Sequence, residues 1–192
     1  MRALHYIIVK SERTYNNTVN VGDLDYTVNV DIDDVSSINR TAEVVCAPDF
    51  MNLKPGDEVI IHHNIMRESI HTNGSLDKGH FLIGNGHYWL PVSEAIMKRN
   101  DEGNWETLHD FCFVQPIKEE VEELFAGLKM LPENYKGYKN HRAILRIGNK
   151  KLTDVKVGEE IMFAYNSQHE FIIDGELMYK CEVSDILAVV EK

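Results

Sequence analysis

Leu53-Lys54-Pro55-Gly56-Asp57-Glu58-Val59-Ile60-Ile61-His62-His63-Asn64 returns further along the chain as Val155-Lys156-Val157-Gly158-Glu159-Glu160-Ile161-Met162-Phe163-Ala164-Tyr165-Asn166. The offset is 102 residues throughout, and Arg40 falls on Arg142 in the same frame. A second set of matches runs at offset 91, where Gly84, Tyr88 and Val92-Ser93-Glu94 meet Gly175, Tyr179 and Val183-Ser184-Asp185. The two offsets differ by 11, which places the extra residues of the first copy within Ile65 to Gly79. Leu4-His5-Tyr6-Ile7-Ile8-Val9-Lys10 resembles Leu108-His109-Asp110-Phe111-Cys112-Phe113-Val114-Gln115 at the two starts. Three matches in one order define a tandem repeat, and a repeat fixes the architecture before any single element is assigned. The expected copies are residues 1–99 and 107–192, joined by a polar linker over 100–106 that contains Asn100-Asp101-Glu102-Gly103-Asn104.

Each copy reads as all-β. Short β-branched and aromatic runs such as Tyr6–Val9, Val44–Ala47 and Val59–His62 are punctuated by turn residues, and Phe111–Val114, Ile144–Ile147 and Ile161–Tyr165 repeat the pattern. Lys-Pro-Gly-Asp and Lys-Val-Gly-Glu are tight turns feeding a strand, with Gly56 and Gly158 free to take the backbone angles a turn needs. Many short strands at close spacing predict one small barrel per copy. In the first copy Leu24, Tyr26, Val28, Val30 and Ile32 alternate with polar residues, which predicts a half-buried strand in a hairpin with Val19-Asn20-Val21, turning at Gly22-Asp23. Pro116 to Phe125 departs from the β pattern. Apolar residues at 117, 121, 124 and 125 with Pro near the start predict a short, Glu-rich helix.

Composition narrows the function. The 192-residue chain carries 20 basic and 31 acidic residues, a formal charge of -11, so nucleic acid is excluded as the main partner. No apolar run reaches the roughly 18 residues of a membrane span, and the opening residues lack a signal-peptide pattern. Cys46, Cys112 and Cys181 are an odd count without a CxxC spacing, the pattern of a reducing compartment, so a cytoplasmic protein is expected. His62 and His63 are adjacent on an expected strand and therefore point to opposite faces. His71, His80 and His87 lie in or beside the insertion but have no carboxylate or cysteine spacing, so no metal is assigned. No nucleophile elbow and no Gly-rich phosphate loop is present, so neither catalytic residues nor a cofactor is assigned and the chain is not read as an enzyme. Trp89 and Trp105 are read as packing or interface residues.

The second copy resembles the GroES-type co-chaperonins. Leu108-His109-Asp110 followed by an apolar strand resembles the family's opening, Asp154-Val155-Lys156-Val157-Gly158-Glu159 its central turn, and Ser184-Asp185-Ile186-Leu187-Ala188-Val189-Val190-Glu191 its last strand. The first copy is similar at Arg2-Ala3-Leu4-His5 and Leu53-Lys54-Pro55-Gly56-Asp57. The resemblance implies two tandem GroES-like barrels, a chaperonin ring of the GroEL type as partner, and unfolded clients inside its chamber. It also implies a mobile loop whose apolar residues dock on the chaperonin, matched here by Gly127, Leu128, Lys129, Met130 and Leu131. Leu128 replaces the family's second glycine and Lys129 its first apolar residue, which shifts the contact to Leu128, Met130 and Leu131 or changes its specificity. In the family the last strand of one subunit meets the first strand of its neighbour, so Ile186, Leu187, Val189 and Val190 are the expected oligomer interface. Both copies have little sequence where the family's roof hairpin sits, so a reduced dome is expected. Bacterial-type chaperonins are seven-fold, and a homo-oligomer of about seven chains, second copies forming the docking tier and first copies stacked on it or flanking it, is the expectation that follows. The alternative is an adaptor of paired barrels that binds no chaperonin.

Overall fold

The computed structural model describes residues 2–28, 37–70, 72–119, 137–164 and 169–191. The Gly56 and Gly158 turns show how the sequence sets the local structure. Each glycine has positive φ, 92° and 95°. The acidic residue that follows closes the turn: Asp57 Oδ2 accepts from the Lys54 N–H and Glu159 Oε2 from the Lys156 N–H, both at 2.8 Å. The glycine N–H then bonds to the Val44 or Leu145 carbonyl, again at 2.8 Å in each case, which aims the next strand along its neighbour.

The chain divides into two units, Met1–His109 and Asp110–Lys192. The first holds β1 (Tyr6–Lys10), β2 (Thr18–Val21), β3 (Leu24–Thr27), β4 (Thr41–Cys46), β5 (Glu58–Ile61) and β6 (Ser69–Ile70). It continues with β7 (Leu76–Asp77), β8 (Leu82–Gly84), β9 (His87–Pro91), β10 (Ala95–Arg99) and β11 (Trp105–Thr107). The second holds β12 (Phe111–Lys118), β13 (Tyr138–Ile147), β14 (Glu160–Phe163), β15 (His169–Ile173), β16 (Glu176–Glu182) and β17 (Ile186–Val189). Apart from these strands and short 3-10 turns, the described residues contain no helix. The protein is all-β, with a GroES-like small barrel in each unit.

The main sheet of the first unit has the order β11-β10-β5-β4-β1-β9-β8, and that of the second has β17-β14-β13-β12-β16-β15. Strand for strand the order is the same, except that β11 has no counterpart in the second sheet. The registers agree as well. Ile7 faces Leu90 and Val9 faces Tyr88 in the first unit, while Cys112 faces Cys181 and Val114 faces Tyr179 in the second. These inward positions, with Val59 and Ile61 or Leu145 and Ile161, are the two apolar cores. Each fully buried aliphatic contributes about 1.5–3 kcal/mol.

Three readings of the sequence need correction. Pro116-Ile117-Lys118, expected to begin a helix, is the end of β12; residues 120–125 of that helix lie outside the described residues. The Gly22-Asp23 hairpin forms as expected from β2 and β3, with Val19 opposite Tyr26 and Val21 opposite Leu24. Its apolar face, however, is exposed rather than half-buried, with Val21 and Leu24 at 61%; Val30 and Ile32 lie outside the described residues. His62 and His63 do not diverge, because β5 ends at Ile61 and a 3-10 turn begins at His63, and their rings sit 4.2 Å apart. The insertion between Ile65 and Gly79 carries the small β6–β7 ladder. No strand lies between β4 and β5, or between β13 and β14, where the dome was expected to be reduced.

Candidate docking segment and assembly edge

β12 and β13, with 8 and 10 residues, are longer than their counterparts β1 and β4, with 5 and 6. The extra residues carry the pair outward to a narrow mouth. There Lys118 is paired with Tyr138, and the Glu119 N–H donates to the Gly137 carbonyl at 2.9 Å. The two ends of the intervening segment are therefore delivered side by side. Gly127, Leu128, Lys129, Met130 and Leu131 belong to that segment and lie outside the described residues.

The corresponding segment of the first unit is tied down. Asn39, a buried polar residue, donates through Nδ2 to Ser11 Oγ at 2.9 Å and to the Arg13 and Thr41 carbonyls at 3.0 Å. Its Oδ1 accepts from the Thr41 N–H at 3.0 Å. The Asn39 N–H bonds to Thr14, a bridge joins Tyr15 to Ile38, and the Ser11 N–H reaches the Gly86 carbonyl. One side chain thus holds the start and the end of the segment together. The repeat places His141 at the Asn39 position. His141 has φ 59° and donates through Nδ1 to the Phe163 carbonyl at 3.1 Å, so it ties β13 to β14. Beside the clamp, burial pushes the Arg40 guanidinium below its ordinary value.

The expected interface strand, β17, is the outermost strand of its sheet. Ile186 packs on the second core, Leu187 is 63% exposed and Val189 36%, and the Val190 N–H bonds to the Glu160 carbonyl. Beside it Lys151–Val155 and Ile186–Val189 line an open cleft of about 290 Å³. Just behind this edge, burial and then the charge of Asp185 push the Cys112 thiol up to about 12, which leaves it protonated and inert near neutral pH. Trp89 packs with Tyr6, His80 and Phe81, and Arg99 lies 4.1 Å from the Trp105 ring centroid. No three His, Cys, Asp or Glu groups converge as metal ligands among the described residues, and no described helix is long and apolar enough to cross a membrane.

Reading the sequence alone missed β11, whose residues were assigned to the linker and the edge of the second copy. The signal available was β propensity alone, Trp105 and Thr107 being strand formers.

The family model for the chaperonin 10 Kd subunit matches residues 104–190. The co-chaperonin GroES of Pelobacter propionicus is 36% identical over 92 residues, covering 44% of this chain and 95% of the relative. The chain belongs to the GroES co-chaperonin family. The co-chaperonin GroES of Ruthia magnifica is 31% identical over 96 residues (46% of this chain, 99% of the relative), and that of Trichlorobacter lovleyi 32% over 93 (44% and 95%). The members are chaperone regulators rather than enzymes. The family match takes in every strand of the second unit, ending at residue 190, and also β11, which the fold places in the first sheet.

Proposed function

We propose that this protein is a cytoplasmic co-chaperonin that caps the chamber of a GroEL-type ring while clients fold inside, docking through Gly127–Leu131. The observation that carries this is the family-model match over residues 104–190, a span that includes the β12–β13 mouth from which that segment springs. The first unit, whose equivalent segment is clamped by Asn39, serves assembly rather than docking.

Burying Leu131 in an apolar groove contributes roughly 1.5–3 kcal/mol per segment. Ordering the segment offsets part of that gain, so a single contact is weak and an oligomer holding several at once binds well. Leu131→Asp is expected to abolish ATP-dependent stimulation of chaperonin-assisted refolding without changing the circular dichroism spectrum. Normal stimulation by that variant contradicts the assignment and favours an adaptor that uses its barrels elsewhere.

A further inference from the structure

His141 stands inside a strand with the backbone of a turn. Three non-glycine residues among those described have positive φ. Asn85 and Asp174 lie in two-residue hairpin loops beside Gly86 and Gly175, where such angles are ordinary. His141, at φ 59°, lies within β13. An L side chain disfavours this backbone, and the conformation persists only where its surroundings hold it.

The register shows what holds it. β13 lies between β12 and β14, and its ladder to β14 ends where Arg142 faces Met162. Arg142 Nε lies 2.7 Å from Glu160 Oε1 of β14. From His141 outward β12 is the remaining strand partner, and there the ladder is broken. Pro116 faces Ala143 and Lys118 faces Tyr138, so Ile117 alone stands against residues 139–142. A bulge of this size bends the strand that carries it. His141 sits inside the bulge, where its Nδ1–H donates to the Phe163 carbonyl at 3.1 Å and its ring lies 6.3 Å from that of Phe163. The side chain makes a tie to β14 just where the backbone ladder has stopped. Beyond it, among the described residues, come the Lys118–Tyr138 pair and the Glu119–Gly137 hydrogen bond.

We propose that His141 is a positioning residue for chaperonin docking, its bond to Phe163 fixing the bulge from which the docking segment leaves the barrel. This rests on the reading that Gly127–Leu131 dock. With the bond in place the segment starts from Glu119 and Gly137. Without it the bulge is held by β12 alone, and the base retreats to the Pro116–Ala143 pair. Residues 117–119 and 137–142 then join what docking has to order, and that ordering opposes binding. The apolar contact itself is unchanged. Loss of the His141 bond therefore alters the concentration at which the protein docks and not what it achieves once docked.

His141→Gly keeps the backbone angle without strain and removes the ring. In the protein alone, the Glu119 amide is expected to exchange about tenfold faster, with the Val114 and Leu145 amides unchanged. In refolding by a GroEL-type chaperonin with ATP, the half-saturating concentration of the variant is expected to rise about tenfold, several segments being engaged at once, while the plateau stays native. A staple separates this role from general stability. The Glu119–Gly137 bond leaves Lys118 and Tyr138 as a pair without mutual backbone hydrogen bonds, with Cα atoms about 4.5 Å apart and within disulfide range. Lys118→Cys with Tyr138→Cys is added to His141→Gly and closed with oxidised glutathione; Cys46, Cys112 and Cys181 are buried. Closing the staple is expected to restore both values, and reducing it to undo the rescue. Unchanged exchange at Glu119, an unchanged half-saturating concentration, or a staple that restores neither value overturns the proposal. Leu131→Asp decides the docking reading and the exchange arm contains no chaperonin, so the two fail separately.

Discussion

The segments 11–40 and 119–137 leave the same place in two copies of one barrel and have opposite local chemistry. In the first, a carboxamide at position 39 reaches across to Ser11 and Arg13 and closes the base over a two-stranded hairpin. In the second, the histidine at the matching position turns to β14, and the strands end in a mouth made by the Lys118–Tyr138 pair and the Glu119–Gly137 hydrogen bond. A duplicated barrel can thus keep one core and register while bonding the bases of its two segments differently. The difference lies in a few polar groups at the base, because the core positions are matched in both units.

Substitutions at that base test how far the difference goes. Both tryptophans of the chain, Trp89 and Trp105, lie in the first unit, so their fluorescence follows that unit alone. Gly86 has φ 72°, and a Cβ there would lie 2.6 Å from the Ser11 carbonyl oxygen at the start of the clamped segment. Gly86→Ala is expected to destabilise the first unit by about 2–4 kcal/mol, strain and overpacking together, shifting the tryptophan-detected urea midpoint down. Asn39→Ala leaves the Arg13 and Thr41 carbonyls and the Thr41 N–H without their side-chain partner. A loss of about 1–3 kcal/mol by the same probe is expected, with amide exchange in β12 and β13 unchanged. Equal acceleration of exchange in both units would break the comparison. The smallest effect belongs to Gly175→Ala, where φ is 83° but nothing lies within 4 Å of the added carbon. It is expected to cost about 1–2 kcal/mol, read as faster exchange in β15 and β16 with no change in tryptophan fluorescence.

The turns and core positions were legible because their signals are local and doubled. Lys54–Asp57 and Lys156–Glu159 each contain a complete turn, and the alternation around Ile7, Val9, Val59 and Ile61 needs only a pleat to be read. Features that depend on another strand were harder. Gly84 aligns with Gly175 in sequence, yet the turn glycine of the first unit is Gly86, beside Asn85 at φ 50°, because the β8–β9 hairpin is shorter than β15–β16. Pro116 carries helix-start chemistry, but β13 offers a ladder that β12 follows through a register shift at Pro116 and Lys118. The pairing of β11 with β10 was hidden for the same reason: a three-residue strand is defined by its partner, and the polar Asn100–Asn104 turn before it reads as linker.

The division of labour between the two segments is tested most directly by retention on an immobilised GroEL-type chaperonin with ATP. Three proteins are compared: the native chain, one with residues 124–132 replaced by a Gly-Ser stretch, and one with residues 17–28 replaced in the same way. The account predicts that the native chain and the 17–28 replacement are retained and that the 124–132 replacement is not. Retention of the 124–132 replacement, with loss of the 17–28 replacement, would contradict it.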